Sequence, residues 1–147
     1  MSFPSHQFAL SLIELMIVIL IAGIIASIAV PSYLDNVRAV NRTEAKTELF
    51  AAASDLQRYF SSFNSYINDA QPLNSPAVPG RSRDTPSGLY RITVTACDGG
   101  AINDCFLATA TPRGTQAQDA CTEFSLDSRG RRMAESATLS AVECWGL

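Results

Sequence analysis

Histidine is nearly missing from this chain. The single one, His6, lies in the first ten residues. Past that point no Ser-His-Asp or Cys-His arrangement and no histidine-ligated metal can be assembled. A Gly-rich phosphate loop is absent, and so is any clustered carboxylate pair. The four cysteines, Cys97, Cys105, Cys121 and Cys144, are separated by 8, 16 and 23 residues, without the C-x2-C spacing of a structural zinc site. The chain therefore reads as a non-enzyme with no catalytic, cofactor-binding or metal-binding residues and no cofactor. Strong charge is lacking too. The net charge is −3, and Glu14 is the one acid before residue 31, so the remainder sits near −2, with no electrostatic argument for nucleic acid. No internal repeat is present.

Charge is scarcest in the 21-residue stretch Leu10–Val30, LSLIELMIVILIAGIIASIAV, where Glu14 stands alone. At about 1.5 Å per residue, such a helix spans a hydrocarbon core of about 30 Å. A carboxylate within it costs roughly 2.5–3.5 kcal/mol on insertion scales. A plain anchor gains nothing from that cost, so the segment is expected to do more than hold a domain at a membrane. A signal anchor with a chance Glu is the bland reading. A cleavable secretory signal fits less well, because the apolar run is too long and the residues before it, MSFPSHQFA, include no Lys or Arg.

No helix breaker follows Pro31 until about Asn64. Apolar residues at Tyr33, Val37, Val40, Ala45, Leu49, Ala52, Leu56, Phe60 and Phe63 recur at steps of three to five, one face of an α-helix. Asp35, Arg42, Lys46, Asp55 and Arg58 are assigned to the opposite face. One helix from about Leu10 to Asn64 is predicted, apolar all round in its first half and amphipathic in its second. Gly23 and Pro31 are expected to loosen or kink it. Residues 65–88, broken by Pro72, Pro76, Pro79 and Pro86, read as a loop in which Arg81, Arg83 and Asp84 are solvated. Strand alternation follows in Leu89–Ala96, Phe106–Thr111 and Thr122–Asp127, with a turn at Asp127–Arg131 and a short return strand at Arg132–Ala134. The fold class is α+β, a long helix packed on three or four antiparallel strands.

The run Leu12-Ile13-Glu14-Leu15-Met16-Ile17-Val18 after a short leader, with Gly23 mid-segment and Pro31-Ser32-Tyr33 closing it, resembles the N-terminus of a type IV pilin. Asn41-Arg42-Thr43-Glu44-Ala45, the late Cys121 and Cys144, and Glu143-Cys144-Trp145 look most like type IVa minor pilins of the PilE kind. The resemblance implies a prepilin cut between Ala9 and Leu10, N-methylated at Leu10. Three residues depart from the pattern: Ala9 replaces the leader's final Gly, Leu10 the usual Phe, and the leader carries no Lys or Arg. It implies further that Glu14 pairs with the α-amine of a first residue in a water-free helix bundle, where an opposite charge is favourable only in good geometry and so fixes register. The implied partition is leader 1–9, transmembrane and filament-core helix 10–30, amphipathic continuation 31–64, αβ-loop 65–88, and sheet with a closed C-terminal region 89–147.

Four cysteines allow three pairings. Cys97–Cys105 would staple the hairpin between the first two strands, and Cys121–Cys144 would close the C-terminal segment as the family does. Two orientation signals conflict. Arg38, Arg42 and Lys46 after the apolar run would place the C-terminal part in the cytoplasm. An even cysteine count fits an oxidising compartment. The cysteines and the pilin motif together favour an inner-membrane, single-pass prepilin with a periplasmic domain, later part of an extracellular pilus. The implied partners are other pilin subunits, the prepilin peptidase and N-methylase, and the inner-membrane assembly platform. The implied function is a structural minor pilin serving pilus biogenesis, twitching motility and adhesion. Two rivals stay open: a competence pilin that binds DNA through the basic cluster Arg129, Arg131 and Arg132, and a pseudopilin of type II secretion. The sequon Asn41-Arg42-Thr43 is read as chance, and Trp145 as packing on the closed C-terminus.

Overall fold

In a computed structural model, residues 11–66 and 82–146 are described. The leader, the cleavage pair Ala9 and Leu10, and most of the expected loop lie outside them. Helix α1 runs over Leu12–Phe63 without a break at Gly23 or Pro31. Pro31 has no N–H, so the carbonyl of Ser27 loses its helical donor. The helix ends where Asn64 turns left-handed at φ 52°, its N–H on the carbonyl of Phe60 at 2.7 Å.

The chain divides into two compact units, one reaching Val37 and one beginning at Arg38. In the first, every described residue is exposed. The helix there carries an apolar surface on all sides, including Leu12, Ile17, Leu20, Ile24, Ile28 and Val30.

The second unit places the rest of α1 on an antiparallel sheet of order β1-β2-β3-β4-β5. The strands are β1 (Ser82–Asp84), β2 (Tyr90–Ala96), β3 (Phe106–Pro112), β4 (Cys121–Asp127) and β5 (Arg132–Ser136). A 3-10 turn, Gly114–Gln118, joins β3 to β4, and helix α2 (Ala141–Trp145) follows β5. The alternation read from the sequence holds. Tyr90, Ile92 and Val94, then Phe106, Ala108 and Ala110, then Phe124 and Leu126 are buried. They meet Ala45, Leu49, Ala52, Ala53 and Leu56 of α1 in one core. Burying a Leu or Phe contributes roughly 1.5–3 kcal/mol relative to exposure. These large side chains therefore hold the helix to the sheet.

Three expectations are corrected. The sheet has a fifth strand, β1, inside the region read as loop; Ser82–Asp84 pairs with Arg91–Thr93. Its sequence, Ser-Arg-Asp, has no apolar alternation because it is a three-residue edge strand. Arg83 and Asp84 are not simply solvated. Arg83 pairs with Glu48, and Asp84 with both Arg91 and Arg113. The face of α1 is also reassigned. Tyr33, Val40 and Phe63 are exposed at 68%, 70% and 58%, whereas Arg42 and Lys46 turn toward the sheet. Arg42 is three residues before Ala45 and seven before Leu49, so it shares their stripe.

Candidate functional site

Two regions carry the chemistry, one in each unit. In the first, Glu14 lies in the opening turn of α1. Its backbone N–H reaches the carbonyl of Ser11 at 3.0 Å. A carboxylate is favourable at a helix N-terminus, where the backbone N–H groups point outward and the macrodipole is positive. Around it the helix presents Leu12, Ile13, Leu15 and Met16 to the surroundings. It is long and apolar enough to cross a membrane. A Cβ at Gly23 would meet nothing within 4 Å, so within this one chain Gly23 is not needed for close packing.

In the second unit, a polar cluster joins α1 to the sheet. The Arg42 guanidinium donates to Asp119, Nε to Oδ2 at 2.8 Å and Nη2 to Oδ1 at 2.5 Å. The Asp119 side chain is 1% exposed. Gln116 Nε2 lies within hydrogen-bond distance of Asp119 Oδ2 at 2.9 Å, the Tyr90 hydroxyl at 3.0 Å and the Arg38 carbonyl at 3.1 Å, its two hydrogens shared among the three acceptors. Its Oε1 accepts from Asn41 at 3.1 Å. Burial opposes the charge on Asp119, but bonds from Arg42, the Cys121 N–H and Gln116 outweigh it and hold the carboxyl below its ordinary value. Burial, offset in part by the Gln116 bond, pushes the Tyr90 hydroxyl up to about 12. Every polar group in the cluster thus has a partner, which fixes the helix register on the sheet. Asn41, the sequon residue, is committed to this cluster.

The C-terminus is closed on the same helix. Cys121–Cys144 ties the start of β4 to α2, with Cα atoms 5.9 Å apart. Ser140 and Glu143 form a capping box, Glu143 Oε2 accepting from the Ser140 N–H at 2.7 Å. Trp145 is buried edge-on to Phe50 and Phe124, and its Nε1 donates to the Met133 carbonyl at 2.9 Å. Lys46 Nζ donates to the Trp145 carbonyl at 2.9 Å. Burial and then the Arg42 charge lower the Lys46 ammonium from its ordinary value. Sequence reading missed Arg42, Lys46, Gln116 and Asp119. The one available signal was the spacing of Arg42 and Lys46 on the buried stripe. The second disulfide, Cys97–Cys105, closes the β2–β3 hairpin with Cα atoms 5.8 Å apart.

The basic cluster is dispersed. Arg131 Nε binds Asp127 at 2.5 Å, and the N–H groups of Arg129 and Arg131 also bind that carboxylate. Asp127 is buried, yet these bonds hold its pKa below the ordinary value. The Arg132 guanidinium lies over Phe50 at 5.3 Å and Trp145 at 5.9 Å. Arg129 alone of the three has no side-chain partner among the described residues. At the other end of the sheet, Asp84 accepts from Arg91 at 2.8 Å and from Arg113 at 2.8 Å, which holds its carboxyl at about 2. Among the described residues no group of three metal-ligating side chains is found.

Comparison with known proteins gives two family matches. Residues 31–125 match the family described as "Type IV minor pilin ComP, DNA uptake sequence receptor". Residues 4–30 match the prokaryotic N-terminal methylation motif. Among curated proteins, the type II secretion system core protein G of Pectobacterium carotovorum subsp. carotovorum is 31% identical over 89 residues. That alignment covers 58% of this chain and 57% of the relative. The Klebsiella pneumoniae counterpart is 30% identical, covering 58% and 64%. The chain thus spans about six-tenths of the length of these relatives. Among solved structures, the Neisseria meningitidis non-core minor pilin PilV aligns with a TM-score of 0.51 at 19% identity, over 73% of this chain and 95% of that one. This supports the fold. A type IV pilin from Shewanella oneidensis gives 0.47 at 26% identity, over 69% and 94%.

Proposed function

Since the chain belongs to the type IV minor pilin family of the ComP kind, we propose that it is made as a prepilin, cut between Ala9 and Leu10, methylated at Leu10, and built into a pilus as a minor subunit. A subunit of this family is structural rather than enzymatic and assembles with other pilins. Before assembly Leu10–Val30 holds it in the inner membrane with the disulfide-bonded domain in the periplasm. The peptidase and the assembly platform act on it there, and the filament serves biogenesis, twitching motility and adhesion. The observation that carries this reading is an apolar helix exposed on every side, joined in sequence to a separately packed unit, with its residues 12–30 lying inside the methylation-motif match over residues 4–30. Such a helix must be covered, first by lipid and then by other helices. Lipid already supplies the burial, so the exchange runs near balance, and Glu14 adds register by pairing with an N-terminal amine. Mass spectrometry of the N-terminal peptide from membrane and sheared-filament fractions tests it. Methylated Leu10 in filaments supports the reading. An intact leader confined to membranes counts against it.

A second reading is receptor function for incoming DNA, favoured by the family whose description names a DNA uptake sequence receptor. The described basic residues support it weakly, because Arg131 and Arg132 are engaged within the chain and Arg91 and Arg113 share Asp84. Gel-shift of the full chain in detergent decides it, with loss on Arg129→Ala or Arg113→Ala as the supporting result. A third reading, a secretion pseudopilin, rests on the partial alignments to core protein G. Lost exoprotein secretion with intact motility on deletion would select it.

A further inference from the structure

A groove of about 600 Å³ opens on the sheet face turned away from the core, beneath the Cys97–Cys105 loop. Its acids are Asp98 and Asp104 from that loop, Glu123 and Asp127 from β4, and Glu135 from β5. Asp127 is neutralised by Arg131. Among the described residues the other four carboxylates have no ion pair, and Arg129 is the one remaining cation of the lining. The groove therefore carries a net charge of three negatives.

Two features mark it as built for a ligand. Glu123 stands directly opposite Glu135 in the β4–β5 register. Side chains so placed have Cβ atoms roughly 4.5–5.5 Å apart, and like charges there repel. Burial and the Glu135 charge accordingly raise the Glu123 carboxyl above its ordinary value. Next along β4, Ser125 lines the floor at 8% exposure, and its hydroxyl has no hydrogen-bond partner among the described residues. Open to the groove that Ser125 lines, this hydroxyl can accept a hydrogen bond from an incoming N–H group. Either carboxylate can serve one side of a planar fork of N–H donors.

We propose that this groove docks a guanidinium, presented by an arginine-bearing segment of a partner polypeptide, between Glu123 and Glu135 with Ser125 beneath it. Charge complementarity selects the class. The acidic lining repels a nucleic-acid backbone, and no set of three ligands suited to a metal is found among the described residues. The hairpin roof is already ordered by its disulfide and by turn bonds such as Gly100 N–H to the Cys97 carbonyl at 3.0 Å. Docking therefore costs little loop ordering.

The test uses the isotope-labelled full chain in detergent micelles, read by amide chemical shifts. The probe is the blocked peptide acetyl-Gly-Arg-Arg-Gly-amide, with its Gln counterpart, calcium chloride and a DNA duplex as comparisons. Saturable shifts at Glu123, Ser125 and Glu135 are expected with the arginine peptide alone. Affinity should fall about tenfold or more in Glu123→Gln/Glu135→Gln, and stay unchanged in Asp55→Asn. The double variant removes a repulsion, so its thermal midpoint should equal or exceed that of the parent, which separates lost binding from lost folding. Absence of saturable shifts, equal binding by the double variant, or the same shifts with calcium or DNA instead of the peptide would each overturn the proposal.

Discussion

Replacing Arg42 by Ala should be among the most damaging single changes in the second unit. It removes both guanidinium bonds from Asp119, whose side chain is 1% exposed. Gln116 and the Cys121 N–H still reach the carboxylate, but they are neutral donors. An uncompensated buried charge costs roughly 3–5 kcal/mol. The unit has about 110 residues, so 1 kcal/mol moves the midpoint by roughly 3–5 °C. A fall of about 10–20 °C follows, measured by circular dichroism on the full chain in detergent. Asp119→Leu alone strands the guanidinium and should cost a similar amount. Arg42→Leu/Asp119→Leu removes both charges and should recover most of the loss, giving a large coupling energy. The pH dependence follows from the lowered Asp119 carboxyl. A depressed folded pKa contributes stability that is present above the unfolded value of 3.8 and lost as pH falls through the folded one. The parent should therefore lose stability more steeply in strong acid than the double variant. A drop of under about 3 °C for Arg42→Ala, or costs that simply add in the double variant, would refute the reasoning.

Three further outcomes are expected. Cys121→Ser/Cys144→Ser should cost about 3 kcal/mol, since the bridge spans 23 residues and the chain-entropy model gives that order; chemical denaturation of the full chain would show it as a lower midpoint. Gly100→Ala should destabilise the hairpin, because a Cβ there would fall 2.7 Å from Cys97 Sγ and closer still to Cys105 Sγ; slower formation of the Cys97–Cys105 bridge in oxidative refolding is the readout, and parent-like rates would contradict it. Glu14→Gln and Glu14→Ala should leave the second unit folded while depleting the subunit from sheared filaments, and normal incorporation would remove the pairing role given to that carboxylate.

How far the sequence could be read depended on the length scale of each signal. The apolar run around Glu14 and the period-2 strands declare themselves within a few turns or residues, and both were legible. The stripe on α1 was half legible. Counting apolar letters found Ala45, Leu49, Ala52 and Leu56, but it placed Val40 and Phe63 inside and Arg42 and Lys46 outside. Helical spacing alone puts Arg42 on the buried stripe. Whether a cation is tolerated there depends on Asp119, 77 residues away in sequence. β1 was missed because an edge strand of three polar residues owes its existence to β2 beside it. The cluster Arg129, Arg131 and Arg132 read as one patch, yet the fold gives Arg131 to Asp127 and Arg132 to two aromatic rings.

The sequence by itself determined the class of this protein. An apolar helix carrying one acid, four cysteines and alternating strands is local information, written in hydropathy period and residue spacing. The tertiary structure decided which polar groups meet. It set Arg42 on Asp119, closed Trp145 against Phe50 and Phe124, and placed Glu123 opposite Glu135 across two strands. Those pairings rest on strand register and helix docking, both fixed by burial of Tyr90, Phe106, Phe124, Leu49 and Leu56 in one core. Register is a property of two segments at once, and no single stretch of sequence carries it.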